Sequence, residues 1–187
     1  GSAFIRMLLG DSSQYSVINF DKLTYAGNLD NLESVAEHPT YRFVQGDICD
    51  ATQVEGLISG ESPDAIVHFA AESHVDRSIL SPAPVFETNL RGTFNLLEAV
   101  RRFKVPRYVH VSTDEVYGSI DEPDEADEES PLNPSSPYSA SKAGSDLLAL
   151  AYFKTFQSPV IVTRASNNYG PYQFPEKLLP LMISNAL

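Results

Sequence analysis

Short runs of apolar, mostly β-branched residues alternate along this chain with stretches in which apolar residues recur every three or four positions. A brief apolar run is the signature of a strand buried on both faces, and the longer period is that of a helix lying on a sheet. Their alternation predicts the α/β class, a doubly wound parallel sheet with helices on both sides. The predicted strands are Tyr15 to Phe20, Tyr41 to Gln45, Ala65 to Phe69, Arg107 to Ser112 and Val160 to Arg164. Between them Leu29, Leu32 and Val35 mark one helix face, Val54, Leu57 and Ile58 a second, and Phe86, Leu90, Leu97 and Val100 a third. Pro82 and Pro84 suit the opening of that third helix, where a missing N–H costs nothing.

The ends depart from this rhythm. A doubly wound sheet begins with a strand, yet Gly1 is followed by the helical pattern SAFIRMLLG, closed by Gly10. At the other end EKLLPLMISNAL reads as a helix in mid-pattern. The expectation is a piece of a longer protein, lacking the first strand. Residues 121–130, DEPDEADEES, carry seven acids in ten positions and are expected to form a solvated loop.

Composition narrows the function. With 187 residues and 42% hydrophobic content the chain can bury a core as one domain. Its net charge of -12 repels a phosphate backbone, which argues against nucleic-acid binding. The single cysteine, Cys49, excludes an internal disulfide and is expected to be a small packed residue; four scattered histidines leave no zinc pattern, so no metal is expected. No apolar run reaches the length of a membrane span, and the start lacks a signal-peptide pattern. A cytoplasmic protein is the expectation.

In a dinucleotide-binding fold an acid about 20 residues beyond the glycine loop takes the adenosine ribose hydroxyls. Asp21 ends a predicted strand 20 positions after Gly1, so Gly1 reads as the last glycine of such a loop, opening a helix whose N–H groups face a pyrophosphate. The alternative is that Asp21 caps the turn after its strand. Asp47 ends the next strand and AAESH follows the one after, so three strands deliver small or polar residues where open α/β sheets bind ligands. Tyr138 and Lys142 are four apart and share a helix face, where the ammonium is expected to lower the phenol's pKa and hold a ribose hydroxyl. Taken alone they are equally an ordinary surface pair. Thr113, Asp114 and Glu115 follow the fourth strand at the same sheet edge; in isolation they read as exposed loop residues. His68 and His110 lie inside strands and are expected in the core.

Together AAESHVDRS at 70–78, STDEVYG at 112–118, YSASK at 138–142 and NNYGPYQFPEKLLP at 167–180 resemble the extended short-chain dehydrogenase/reductase family. The likeness runs over the whole chain and covers the front part of a family member. It implies a Rossmann-type NAD-binding domain over 1–187, with a substrate-binding region starting at about 167–187. The Thr-Asp-Glu triplet, with DKLTYAGN at 21–28, resembles the branch that removes water from dTDP-glucose. Relatives acting as 4-epimerases lack the acid pair, and GDP-mannose dehydratases carry serine at the position of Asp114. The resemblance implies Tyr138 as base for C4 oxidation with Lys142 beside it, Glu115 as base at C5, Asp114 as acid at the C6 hydroxyl, and Thr113 bonded to the C4 oxygen. It further implies NAD contacts from Gly1, Asp21, Lys22, Leu23, Thr24, Asp47, Ile48, Ala70, Ala71, Ser73, Thr88, Ser112 and Asn168. Substrate contacts are implied for Ser73, Thr113, Asn167, Lys177 and Leu178, with a nucleotide sugar, dTDP-glucose, as substrate. Pairing into a homodimer through helices at roughly 82–103 and 138–157 is implied too. An epimerase or decarboxylase on the same scaffold, or a non-catalytic NAD-binding protein, are the competing readings.

Overall fold

The computed structural model describes residues 1–11 and 14–187, and the chain divides into two compact units. The first comprises Gly1–Gly46 and Asn167–Leu187, the second Asp47–Ser166.

In the first unit helix α1 (Ser2–Asp11) is followed by strand β1 (Val17–Asp21), a 3-10 helix (Leu29–Val35) and strand β2 (Tyr41–Gln45), with helix α7 (Leu178–Ala186) from the chain's far end. β1 and β2 pair in parallel, from Val17 opposite Tyr41 to Asp21 opposite Gln45. Ile5, Leu9, Leu32 and Val35 form the core, with Val17 and Tyr41 packed against it. The uniform spacing of three between Leu29, Leu32 and Val35 is the period of a 3-10 helix, in which i and i+3 eclipse. Leu32 and Val35 are buried, whereas Leu29, expected on the same inward face, is 41% exposed. The first strand also begins two residues later than predicted, at Val17.

The second unit runs α2 (Ala51–Glu61), β3 (Ile66–His68), α3 (Val75–Leu80), α4 (Ala83–Phe86), a π-helical segment (Glu87–Gly92), α5 (Thr93–Phe103), β4 (Tyr108–Thr113), a 3-10 turn (Asp114–Tyr117), α6 (Pro137–Phe156) and β5 (Val160–Ala165). The strands form a parallel sheet in the order β3-β4-β5. β3 pairs through only three residues, so Ala65 and Phe69, predicted within it, lie outside. Asp50 caps α2 by accepting the N–H groups of Thr52 and Gln53. Leu97, Ala99, Val100, Tyr108, Val116 and Ala149 are wholly buried, and removing the leucine and valine side chains from water is worth about 1.5–3 kcal/mol each. Phe86, expected on the inward face, is 42% exposed.

Pairing of His68 with His110, and of Ile66 with Tyr108, puts Tyr108 and both histidines on one sheet face. The histidine rings stand 5.3 Å apart. Both are core residues, as expected. Thr93 Oγ1 donates to Asn89 O and Ser145 Oγ donates to Lys142 O, so each hydroxyl can only accept from the histidine Nε2 lying 3.0 Å away. Both rings therefore carry their proton on Nε2. Burial holds both below the ordinary histidine pKa, and they are neutral. Cys49 is half-buried, its thiol 3.4 Å from Glu87 O. Residues 121–130 form a mainly exposed loop. Among the described residues no helix is long and apolar enough to cross a membrane.

Candidate active site

Residues expected around the cofactor divide between the units. In the first, Gly1 O accepts the Ile5 N–H at the start of α1, and the Asp21 carboxylate acts electrostatically on the Gly1 amino group. Asp21 Oδ1 accepts the Leu23 N–H at 2.7 Å, so the turn-capping role is realised. Leu23 takes a φ of 56° there, and exposed Lys22 and Thr24 flank it. Tyr25 stacks edge-on against Phe174 and donates to Glu176 Oε1, which brings the 21–25 segment beside Lys177 and Leu178. Lys177 precedes the first turn of α7, and Leu178 is 72% exposed. Asn167 and Asn168 lie on the exposed stretch after β5.

In the second unit Asp47 and Ile48 form a fixed turn. Asp47 Oδ1 accepts from Cys49 N, Gln53 Oε1 accepts from Asp47 N, and buried Asn95 donates to Ile48 O at 2.9 Å. Ala70, Ala71 and Ser73 follow β3 and are half-buried. Their loop is gripped by Asn89, which the sequence did not single out. Its side chain accepts the Glu72 N–H at 2.8 Å, donates to Glu72 O at 2.9 Å, and donates to Ser141 on α6. The amide thus substitutes for a strand neighbour. Asn89 and Thr88 lie in the π-helical segment, a departure from α geometry that recurs at functional sites.

The expected catalytic residues converge within the second unit. β4 ends in buried Ser112 and then Thr113, whose side chain caps the 3-10 turn by accepting the Glu115 N–H and bonds Asp114 Oδ1 at 3.3 Å. Asp114 and Glu115 are exposed, while Val116 anchors the turn in the core. Gly118 closes it at a φ of 77°, with no room for a side chain against the Asn133 carbonyl. Opposite, α6 opens with a capping box between Ser136 and Ser139 and carries Tyr138 and Lys142, both buried. Ser78 on α3 accepts the Tyr138 N–H.

The electrostatics differ from expectation. Burial, then the Glu115 charge, push the Tyr138 phenol up from 10.0 to about 12, with Asp114 adding to this and a hydrogen bond with Thr113 opposing it. Lys142 does not lower the phenol: its ammonium turns to β4 and donates to Val111 O at 2.8 Å. Burial brings the lysine itself down from 10.5 to about 8, offset only in part by Asp146. Asp146, one turn further along α6, has a fully buried side chain. Burial alone would raise its pKa, but the adjacent His110 ring and the hydrogen bond from Arg164 hold it below the usual carboxylate value.

The arrangement sets a buried phenol beside two exposed carboxylates, with a weakly basic lysine behind it, at the carboxyl edge of a parallel sheet. A dTDP-glucose 4,6-dehydratase of Neisseria meningitidis serogroup B is 52% identical over all of this chain and 55% of its own length. A dTDP-glucose 4,6-dehydratase of Bacillus anthracis, solved in complex with NAD, superposes with a TM-score of 0.91 at 52% identity, covering 100% of this chain and 57% of that one. A UDP-glucose 4-epimerase of Thermus thermophilus, in complex with NAD, follows at a TM-score of 0.87 and 31% identity, with coverages of 100% and 58%. The chain thus spans little more than half the length of these relatives. The family model described as GDP-mannose 4,6 dehydratase matches residues 1–187, and the chain belongs to that family.

Proposed function

We propose that this chain is the NAD-binding part of a dTDP-glucose 4,6-dehydratase, forming the 4-keto-6-deoxy sugar. The observation that carries the reading is the Thr113-Asp114-Glu115 turn set against Tyr138: a 4-epimerase needs the phenol, but elimination of water also needs an acid and a base. The residue types that each unit offers suit a dinucleotide. Small, half-buried Ala70, Ala71 and Ser73 follow β3, exposed Asp21 ends β1, and buried Lys142 lies behind the phenol. Asp47 and Ile48 would meet the adenine, Asp21 to Thr24 and Gly1 the ribose and pyrophosphate side, and Thr88, Ser112 and Asn168 the remainder. When bound, NAD would supply the hydride acceptor at C4, the hydride donor at C6 and a positive ring charge.

The chain's own residues move the protons. Tyr138 must act as the phenolate, a form that the cofactor's positive ring charge would favour, to take the C4 hydroxyl proton while Thr113 holds the C4 oxygen. The ketone formed at C4 acidifies C5, whose proton Glu115 removes. Asp114 gives its proton to the departing C6 hydroxyl, so the two carboxyls must be in opposite protonation states when the sugar is bound. Ser73, Asn167, Lys177 and Leu178 would hold the substrate.

The test is the full-length protein with dTDP-glucose in deuterated water. The product should lose water and carry solvent deuterium at C5, and Glu115→Gln should slow dehydration by about 10²–10⁴-fold while NADH still forms transiently. Unchanged dehydration in that variant, or a product of unaltered mass, defeats the reading.

Residues 1–187, both units together, would then serve as the NAD-binding domain, with 167–187 opening the substrate region. A cytoplasmic location follows from the lone cysteine and the nucleotide-sugar chemistry. A homodimer is supported by exposed Phe86, Phe94, Leu147 and Phe153 on α4 to α6, and by an open apolar groove that includes Leu90 and Leu148.

A further inference from the structure

The 3-10 turn that presents Asp114 and Glu115 is only four residues long, and 3-10 hydrogen bonds have poor geometry, so it must be held from outside. Thr113 fixes its start. Its middle is fixed by the buried Val116 side chain and by Asn133 N donating to Val116 O at 2.9 Å. Its end is gripped by a residue of β5 with no part in the proposed chemistry. Arg164 Nη1 donates to the Tyr117 hydroxyl at 2.8 Å, and the guanidinium carbon stands 5.2 Å from the Tyr117 ring centre. The other branch of the same fork, Nε, donates to Asp146 Oδ2 at 2.8 Å. Asp146 lies on the helix that carries Tyr138 and Lys142, and its second oxygen faces His110 Nε2 at 3.4 Å.

One planar group therefore ties the end of the carboxylate turn to the helix bearing the phenol. A buried ion pair is weak evidence for stability, because desolvation cancels much of the attraction. What this pair supplies is direction: a guanidinium held at one edge by a carboxylate can offer its other edge at one angle only. A lysine at the same position could reach one partner but not both.

We infer that Arg164, oriented by Asp146, is a positioning residue that sets Asp114 and Glu115 against Tyr138 by fixing Tyr117. The roles of those residues are taken from the proposed dehydratase reading. Because Tyr138 would act in oxidation and the carboxyls only afterwards, loosening the clamp should separate the two steps. A displacement of about 1 Å can cost on the order of 100-fold in rate.

The variants are Tyr117→Phe, which removes one hydroxyl and keeps the buried ion pair, and Arg164→Lys, which keeps the charge and loses the fork. Both are made in the full-length protein. In single-turnover mixing with dTDP-glucose, NADH should form at the wild-type rate in Tyr117→Phe, while loss of water slows by about 10–100-fold. Arg164→Lys should show the same split. Amide hydrogen exchange at 114–118 should quicken in both variants while the centre of β4 and the melting temperature hold. Equal slowing of both steps with a lowered melting temperature would reduce Arg164 to a structural residue and overturn the inference, as would two unslowed steps. Exchange decides the clamp without substrate: faster exchange at 114–118 supports it and unchanged exchange overturns it. A wild type that forms no dehydrated product defeats the dehydratase reading instead.

Discussion

Replacing Lys142 with methionine should stabilise the folded chain at neutral pH, and the gain should disappear in alkali. Lys142 is 4% exposed, and neither its bond to Val111 O nor the attraction of Asp146 makes up for the water it has lost, so its pKa falls from 10.5 to about 8. A depressed lysine binds its proton more weakly folded than unfolded. Between about pH 8 and 10.5 the unfolded chain thus holds more protons at this site, and stability rises with pH. At about 1.4 kcal/mol per pH unit of displacement, the ammonium destabilises the fold by about 3 kcal/mol below pH 8. Methionine has similar length and no charge. Its lost hydrogen bond shifts the two stability curves by roughly 1 kcal/mol, but does not alter how their difference changes with pH. Tyr138, raised to about 12, contributes stability that is full below pH 10 and lost as pH climbs through 12, but it is present in both proteins and largely cancels. Melts of both proteins between pH 7 and 11 should show their difference shrinking by about 3 kcal/mol, or about 6–12 °C for a chain of this size. A difference that stays flat across that range would refute the buried-ammonium account. On the proposed dehydratase reading, the stabilised variant of the full-length protein should also lose sugar oxidation.

Gly118→Ala should destabilise the protein by about 1–3 kcal/mol, and on the proposed dehydratase reading slow water elimination, because φ is 77° and the added carbon meets the backbone carbonyl of Asn133; a wild-type denaturation midpoint would count against the strained turn. If the proposed pairing holds, wild type sediments as a dimer at micromolar concentration, and Phe94→Glu, at a position 45% exposed beside Leu90, should sediment as a monomer of unchanged melting temperature; a monomeric wild type defeats the pairing. A variant that still sediments as a dimer places the interface elsewhere.

Much of the fold was legible because strands and helices here obey local rules. Tyr41 to Gln45 was predicted to the residue, since a short run carrying Tyr, Phe and Val between turn residues has few other fates. Where the reading failed, the deciding partner was distant. Ala65 and Phe69 look as strand-like as their neighbours, but β4 offers a hydrogen-bonding register to Ile66, Val67 and His68 alone. The π-helical segment at Glu87–Gly92 was not legible, because one extra residue in a turn barely changes a hydrophobic pattern. Asn89, a poor helix former in mid-helix, was the available signal: its side chain serves Glu72 and Ser141, neither of which is near in sequence.

The site divides in the same way. The spacing of four placed Tyr138 and Lys142 on one face of α6, and both are there. Extended by one turn, the same spacing reaches Asp146, so phenol, ammonium and carboxylate form a stripe that YSASKAGSD already displays. That stripe would have signalled that the lysine has a second neighbour of opposite charge. It could not have said which neighbour the ammonium favours, because the answer depends on Val111 O, which the parallel sheet brings beneath the helix. Nor could it have given the raised phenol, whose environment is set by burial and by Glu115, 23 positions upstream. Residue types and spacing identify which groups can do chemistry. The protonation state each group holds is fixed by charges and water exclusion that arise only when separate strands end at a common edge, and Arg164, joining β5, α6 and the carboxylate turn, belongs to that second kind of information.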